Sequence, residues 1–315
     1  MNISTDNPKS VNVAIAILVV ITAAVAAACV HGATLDADVI AKASGATTAV
    51  ENDGVVRIGW PRTDVVVTVD GVVLAPVAGL ATWAAFAPMP NDSTMVMGDT
   101  VVFADEVDAA MDAAFAHGLA VTAIHNHFFH DTPAVYFMHI QGEGISDDLA
   151  ASVKAVWDTI RAVRKANPRP AMGFAGPTVS AGHVDADAVA KILGHAVIDA
   201  QGVAKVTIGR NGMMHGMPIA GSMGLTTWAA FSGTDAVAAD AVAAMDGDFI
   251  MTGAEVRPVL VALRKTGVHI VALHSHMIGE TPNLYFTHFW AKGSAIDLAH
   301  SLRAALDVQA AVDKS

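Results

Sequence analysis

Residues 98–144 of this 315-residue chain align without a gap on residues 247–293, so that each position has a counterpart 149 further on. The identities gather at Gly98-Asp99, Glu106-Val107, Gly118, His125, His127, Thr132-Pro133, Tyr136-Phe137, His139 and Gly144. A chain that contains itself twice is expected to fold as two like units. It also separates, within one molecule, the positions that drifted from those that did not. The three histidines of each copy did not drift: His125, His127 and His139 in the first, His274, His276 and His288 in the second.

The duplication extends beyond that block. Leu35–Lys42 matches Val184–Lys191, and Gly79–Phe86 matches Gly224–Phe231 at a slightly shorter offset, which places a small insertion in one copy. The expected domains are therefore 34–166 and 183–312. Residues 167–182, with Asn167-Pro168-Arg169-Pro170 and Gly176-Pro177, read as a linker. The length suffices for two domains that each bury a core.

Periodicity gives the order of elements in a copy. A short amphipathic helix near 35–44 precedes β segments around 54–59, 64–75, 81–87 and 94–103. A helix over 105–116 spaces Val107, Met111 and Phe115 by four and ends at Gly118. Strands follow at 119–127 and 134–141, with a turn at Thr132-Pro133. A long helix then begins with Ser146 as its expected N-cap and Asp147 and Asp148 in its first turn; its apolar stripe is Leu149, Val153, Val156, Trp157 and Ile160. The fold class is α+β: two tandem homologous domains, each a mainly antiparallel sheet with helices packed on one face.

Residues 1–28 have the form of an export signal: Lys9, then an apolar run from Val11 to Ala28 broken only by Asn12 and Thr22, ending in small residues. The single cysteine, Cys29, stands where a lipoprotein signal places its acylated residue, although Ala26 replaces the leucine of a strong lipobox. Lipidation at Cys29, ordinary cleavage and an uncleaved anchor all put the folded part outside the cytoplasm, in the periplasm or on the outer face of the membrane. Contact with the membrane is expected only through that segment. A net charge of −12 repels phosphate backbones, which argues against a nucleic-acid partner.

Side chains at i and i+2 of a strand share a face, about 7 Å apart at the backbone, so His125 and His127 project together. A hairpin turning about Thr132 sets His125 opposite His139, and the second copy repeats this with His274 and His288. Three imidazoles on one face of adjacent strands suit a divalent transition metal, zinc first, with copper, iron and nickel also compatible with imidazole. Three protein ligands with one open position is a catalytic pattern, whereas a closed structural site supplies four. The ordinary alternative for any one strand histidine is a hydrogen-bonded packing residue.

Other polar pairs are open to two readings. Asp131 and Glu280 precede Thr-Pro and could act as fourth ligand or general base, or as solvated turn carboxylates. Glu106 and Glu255 open a helix, where an acid complements the dipole. Asp99 and Asp248 follow glycine and read as turn residues. Tyr136 and Tyr285 face away from the histidines by strand parity, His130 is without a counterpart, and Trp83 and Trp228 read as core anchors.

No His-Glu-x-x-His, Gly-x-Ser-x-Gly, Gly-x-x-x-x-Gly-Lys or paired Cys-x-x-Cys occurs, which disfavours standard proteases, esterases and nucleotide enzymes. The set Gly-Asp, Glu-Val, Ala-Ile-His-Asn-His, Thr-Pro, Tyr-Phe-Met-His, with its second copy ending Tyr-Phe-Thr-His, resembles the LppY/LpqO family of bacterial exported proteins over nearly the whole mature chain. The resemblance implies export and a tandem architecture, and it supplies no substrate or catalytic residue. Three functions stay open: a metal-dependent hydrolase or lyase of the cell envelope, a non-catalytic metal carrier or sensor, and a binding protein for a small-molecule ligand.

Overall fold

The computed structural model describes residues 34–179, 181–234 and 242–314. The expected export signal and Cys29 lie outside the described residues, among which no helix is long and apolar enough to cross a membrane.

The first repeat runs through α1 (Ala37–Ser44), β1 (Thr48–Val50), β2 (Val56–Pro61), β3 (Thr68–Val69), β4 (Val72–Val73), β5 (Ala81–Pro88), β6 (Thr94–Phe103), α2 (Val107–Ala116), β7 (Ala120–His125), β8 (Asp131–Thr132), β9 (Val135–Gly144) and α3 (Ser146–Ala166). The second repeats the plan with α4 (Ala186–Leu193), β10 (Val197–Ala200), β11 (Val203–Gly209), β12 (Gly212–Met214), β13 (Met217–Ile219), β14 (Thr226–Gly233), β15 (Ala243–Thr252), α5 (Gly253–Lys265), β16 (His269–His274), β17 (Glu280–Thr281), β18 (Leu284–Gly293) and α6 (Ala295–Val312).

Local chemistry explains the boundaries. The Asp36 carboxylate accepts the Asp38 and Val39 N–H groups, and Asp185 does the same for Asp187 and Ala188; left-handed Gly45 and Gly194 end the two short helices. In β5 and β14 buried and half-exposed residues alternate, as a strand with one core face requires. One expectation fails in detail. Ile145, not Ser146, is the N-cap of α3, and it gives no side-chain cap, so Ser146 is the first helical residue. The equivalent position in the second copy is Ser294, which does cap, accepting from Asp297 N–H.

Twelve strands form one sheet in the order β1-β2-β5-β6-β9-β7-β16-β18-β15-β14-β11-β10. The two repeats meet at its centre, where Ile124 of β7 pairs with Leu273 of β16. The helices cover one face, and a single apolar core spans both repeats, from Phe86, Met138 and Trp157 to Phe231, Phe289 and Leu302. The repeats are thus two halves of one sheet as well as two copies of one unit.

The β segment expected at 64–75 is instead the short hairpin β3–β4. It leaves the main sheet and pairs with β8, burying Val67 and Leu80 against Val101, Phe103, Val135 and Phe137 on the helix-free face. In the second copy β12, β13 and β17 lie over Leu225, Ile250, Leu284 and Phe286. Each flap closes one end of the face that carries the histidines.

Glu106 does more than complement a helix dipole. Fully buried, it accepts from the Arg62 and Arg164 guanidinium groups at 2.9 Å and from Phe103 N–H. Glu255 completes a capping box with Thr252 and accepts from Arg210. A buried carboxylate is tolerated because it is paired and hydrogen-bonded.

Candidate metal centre

Both sites lie on the helix-free face, on rows of directly paired residues. In the first copy the row is Trp83, Asp99, His139, Ala123 across β5, β6, β9 and β7. In the second it is Trp228, Asp248, His288, Ala272 across β14, β15, β18 and β16. Asp99 and Asp248 therefore stand in the middle of strands, not in turns, and their side chains share the face of the histidines.

His125 lies opposite Phe137, not opposite His139 as the hairpin about Thr132 predicts. The turn spends residues on β8 and the flap, which moves the partner of His125 from His139 to Phe137; the bulge in β7 between Val121 and Ala123 lies beyond that pair. The displacement is two residues, so parity is preserved and all three histidines keep their common face.

Aromatic stacking positions the second histidine of each pair. The His127 ring lies on Phe137 with centroids 3.3 Å apart, and the His276 ring on Phe286 at 3.4 Å. Nδ1 of His125 and of His274 faces the carbonyl of the following residue at 3.4 Å, and His288 Nδ1 faces Gly247 O at 3.2 Å. With Nδ1 as donor, the other ring nitrogen carries the lone pair that a metal needs.

In the second copy His276 Nε2 is 3.1 Å from Asp248 Oδ2, and the ligand atoms of Asp248, His274 and His276 all lie within 4.8 Å of one another. His288 stands beside them, its ring 4.9 Å from that of His274. In the first copy His125 Nε2 is 3.2 Å from His139 Nε2, the His125 and His127 ring centroids are 5.1 Å apart, and Asp99 Oδ1 is 3.8 Å from His139 Nε2. Asp248 Oδ1, His274 Nε2 and Asp99 Oδ1 are buried and lack a hydrogen-bond partner within the protein.

Burial dominates the electrostatics. It lowers the His127 and His274 pKa values against the pull of the neighbouring aspartates, and it raises that of Asp99 despite the three histidines around it. Burial thus disfavours the charged form of His127 and His274, and the Asp248, His274 and His276 ligand atoms lie close enough together to hold a cation.

The remaining expectations are resolved case by case. Asp131 and Glu280 accept the Val135 and Leu284 N–H groups at 2.7 and 2.9 Å, so both brace the turn. The following Thr132-Pro133 and Thr281-Pro282 bonds are cis. Tyr136 and Tyr285 pack against the helix-side core, as parity requires. His130 is exposed with φ +60°. Trp83 and Trp228 are not core anchors: both are half-exposed beside the sites, beneath Arg57 and Lys205. The aspartates are what sequence reasoning missed, although Gly-Asp is identical in both copies.

None of the curated proteins matches the chain in sequence. Among solved structures, the trimeric bacterial microcompartment shell protein PduB is 13% identical over 83% of this chain and 89% of its own, with a TM-score of 0.21. EtuB from Clostridium kluyveri is 12% identical over 84% and 91%, also at 0.21. The double-ringed trimeric shell protein MSM0271 from the RMM microcompartment is 14% identical over 71% and 85%, at 0.18. The family described as Domain of Unknown Function (DUF1259) matches twice, at residues 38–159 and 187–308, the same duplication that carries one site on each half. The chain belongs to this family as a tandem pair of its domains.

Proposed function

We propose that this is an exported metal-binding protein with one divalent transition-metal site in each repeat, built on His125, His127, His139 and Asp99 in the first and on His274, His276, His288 and Asp248 in the second. One observation carries the reading: Asp248 Oδ1 and His274 Nε2 are buried and unpartnered inside a group whose ligand atoms lie within 4.8 Å of one another. Leaving a buried polar atom unsatisfied costs about 1–3 kcal/mol, and a cation at that point answers two such atoms at once. The resemblance to the LppY/LpqO exported proteins and the apolar N-terminal segment support placement in the periplasm or on the outer face of the membrane.

Two histidines and a carboxylate suit zinc and serve non-haem iron equally, and they leave positions open. When bound, such an ion polarises a substrate oxygen or makes a hydroxide available near neutral pH, which supports a hydrolase or lyase of the envelope. The chain's own groups disfavour the charged form of His127 and His274 through burial, set backbone carbonyls beside Nδ1 of His125, His274 and His288, and hold His127 on Phe137 and His276 on Phe286. Duplication of the whole site favours a second reading, a metal carrier or sensor, because capacity gains from two copies and a single reaction does not.

Metal analysis of natively purified protein tests this. Two zinc or iron ions per chain, reduced to one in His274→Ala with Asp248→Ala, is the expected result. Absence of any transition metal, or content unchanged by those substitutions, overturns it. Turnover across hydrolase and lyase panels then separates enzyme from carrier.

A further inference from the structure

We infer that each site receives an oxyanion, and that Arg57 in the first copy and Lys205 in the second supply its counter-charge. The inference rests on the metal reading above. Trp83 lies directly opposite Asp99, and Trp228 directly opposite Asp248. Over the two tryptophans stand the cations: the Arg57 guanidinium carbon is 4.3 Å from the Trp83 ring centroid, and Lys205 Nζ is 4.9 Å from that of Trp228.

The two cations occupy equivalent places. Gly59 pairs with Trp83 and Arg57 with Ala85; Thr207 pairs with Trp228 and Lys205 with Ala230. The sequence around them has diverged, Arg57-Ile58-Gly59-Trp60 against Lys205-Val206-Thr207-Ile208, while the positive charge is kept. With strands about 5 Å apart, each cation sits two strands and one pleat from the aspartate of its site, within reach of a ligand held there.

Neither cation is tied to a carboxylate. Arg62, Arg164, Arg210 and Arg264 all bind acids at 3.1 Å or less. Arg57 and Lys205 have no ion pair within 4.0 Å among the described residues, in a chain whose net charge is −12. A tryptophan face holds a cation in place without neutralising it, so its charge stays available to a ligand. The residues directly across the strand from the two cations, Ala85 and Ala230, are small. Among ligands of the proposed ion, an oxyanion gains from that arrangement and a neutral molecule does not. The copies are not equal. Asp246 stands two strands from Lys205, where the first copy has Met97, so the first site is the stronger anion site.

The test uses the protein loaded with Co(II), whose visible absorption reports metal occupancy, with tryptophan fluorescence as a second readout. The probes are succinate, inorganic phosphate and neutral succinamide. Succinate or phosphate should perturb both signals, the tighter of the two naming carboxylate or phosphate as the ligand group, and succinamide should perturb neither. Arg57→Gln with Lys205→Gln should weaken anion binding about tenfold while the Co(II) spectrum is retained. Arg57→Lys with Lys205→Arg keeps the charges and should keep the affinity. Equal anion affinity in the glutamine variant, or equal response to succinamide, overturns the inference while the metal reading stands. Failure to take up Co(II) overturns the metal reading itself.

Discussion

His276 meets Asp248 from above the sheet, Nε2 to Oδ2 at 3.1 Å, while its ring lies flat on Phe286 with centroids 3.4 Å apart. The carboxylate is fixed by a central strand and the imidazole by a buried aromatic face, so neither partner relies on the mobile end of a long side chain.

Asp248→Asn tests the carboxylate. The substitution keeps size and removes the charge that a cation uses, so metal affinity should fall by tenfold or more, with little change in the melting temperature of the metal-free protein. Competition against a chromophoric chelator measures the first quantity and circular dichroism the second. Unchanged affinity would leave His274 and His276 without their third partner.

Phe286→Leu tests the stacking. Phe286 is 1% exposed and belongs to the small core under the flap, so truncation to alanine would cost about 3–5 kcal/mol, and leucine should cost under half of that. Leucine keeps the core filled and frees the ring of His276. Metal affinity should therefore drop about tenfold at a small cost in stability. An affinity loss no greater than the stability loss would assign Phe286 to packing alone.

Gly247→Ala tests why glycine precedes each aspartate. A Cβ on Gly247 would press into the Trp228 carbonyl oxygen and the Phe289 ring, and one on Gly98 would lie 2.8 Å from the Trp83 carbonyl oxygen. Because the obstacle is backbone of the neighbouring strand, β15 must move away and carry Asp248 with it. The expected result is a loss of roughly 1–3 kcal/mol together with weakened metal binding. Chemical denaturation and metal titration of one preparation check both.

Glu255 sets a pH dependence. Burial by itself would raise its pKa, but hydrogen bonds from Arg210 and from Thr252 N–H outweigh it and lower the value from 4.5 to about 2. A depressed carboxylate contributes stability that is present above the ordinary value and disappears as pH falls through the folded one. Stability should thus decline between about pH 4.5 and pH 2. Glu255→Gln should cost roughly 2–3 kcal/mol at neutral pH and flatten that decline. Denaturation midpoints across the acid range measure it, and parallel curves for the two proteins would contradict the assignment.

The duplication, the order of the longer helices and strands, and the parity that puts three histidines of each copy on one face were legible in the sequence. These are local matters: a period of two or 3.6 residues, an aspartate before a short helix, a glycine after it. Asp99 and Asp248 were legible only as identities. Their partnership with the histidines comes from pairing β6 to β9 and β15 to β18, contacts between segments some forty residues apart. No periodicity within either segment encodes that neighbour.

The amino-acid sequence by itself determined that the chain is two copies of one unit and which imidazoles share a face, because side-chain direction alternates with a fixed period along any strand. Only the tertiary structure decided the rest. It displaced His125 by two residues relative to His139 through the turn that carries the flap strand, fused the copies into one sheet at Ile124 and Leu273, and set an aspartate beside the histidines and a cation over the neighbouring tryptophan. Strand order and register are set by which long-range pairing buries the most apolar surface, a choice the whole chain makes together and no short segment records.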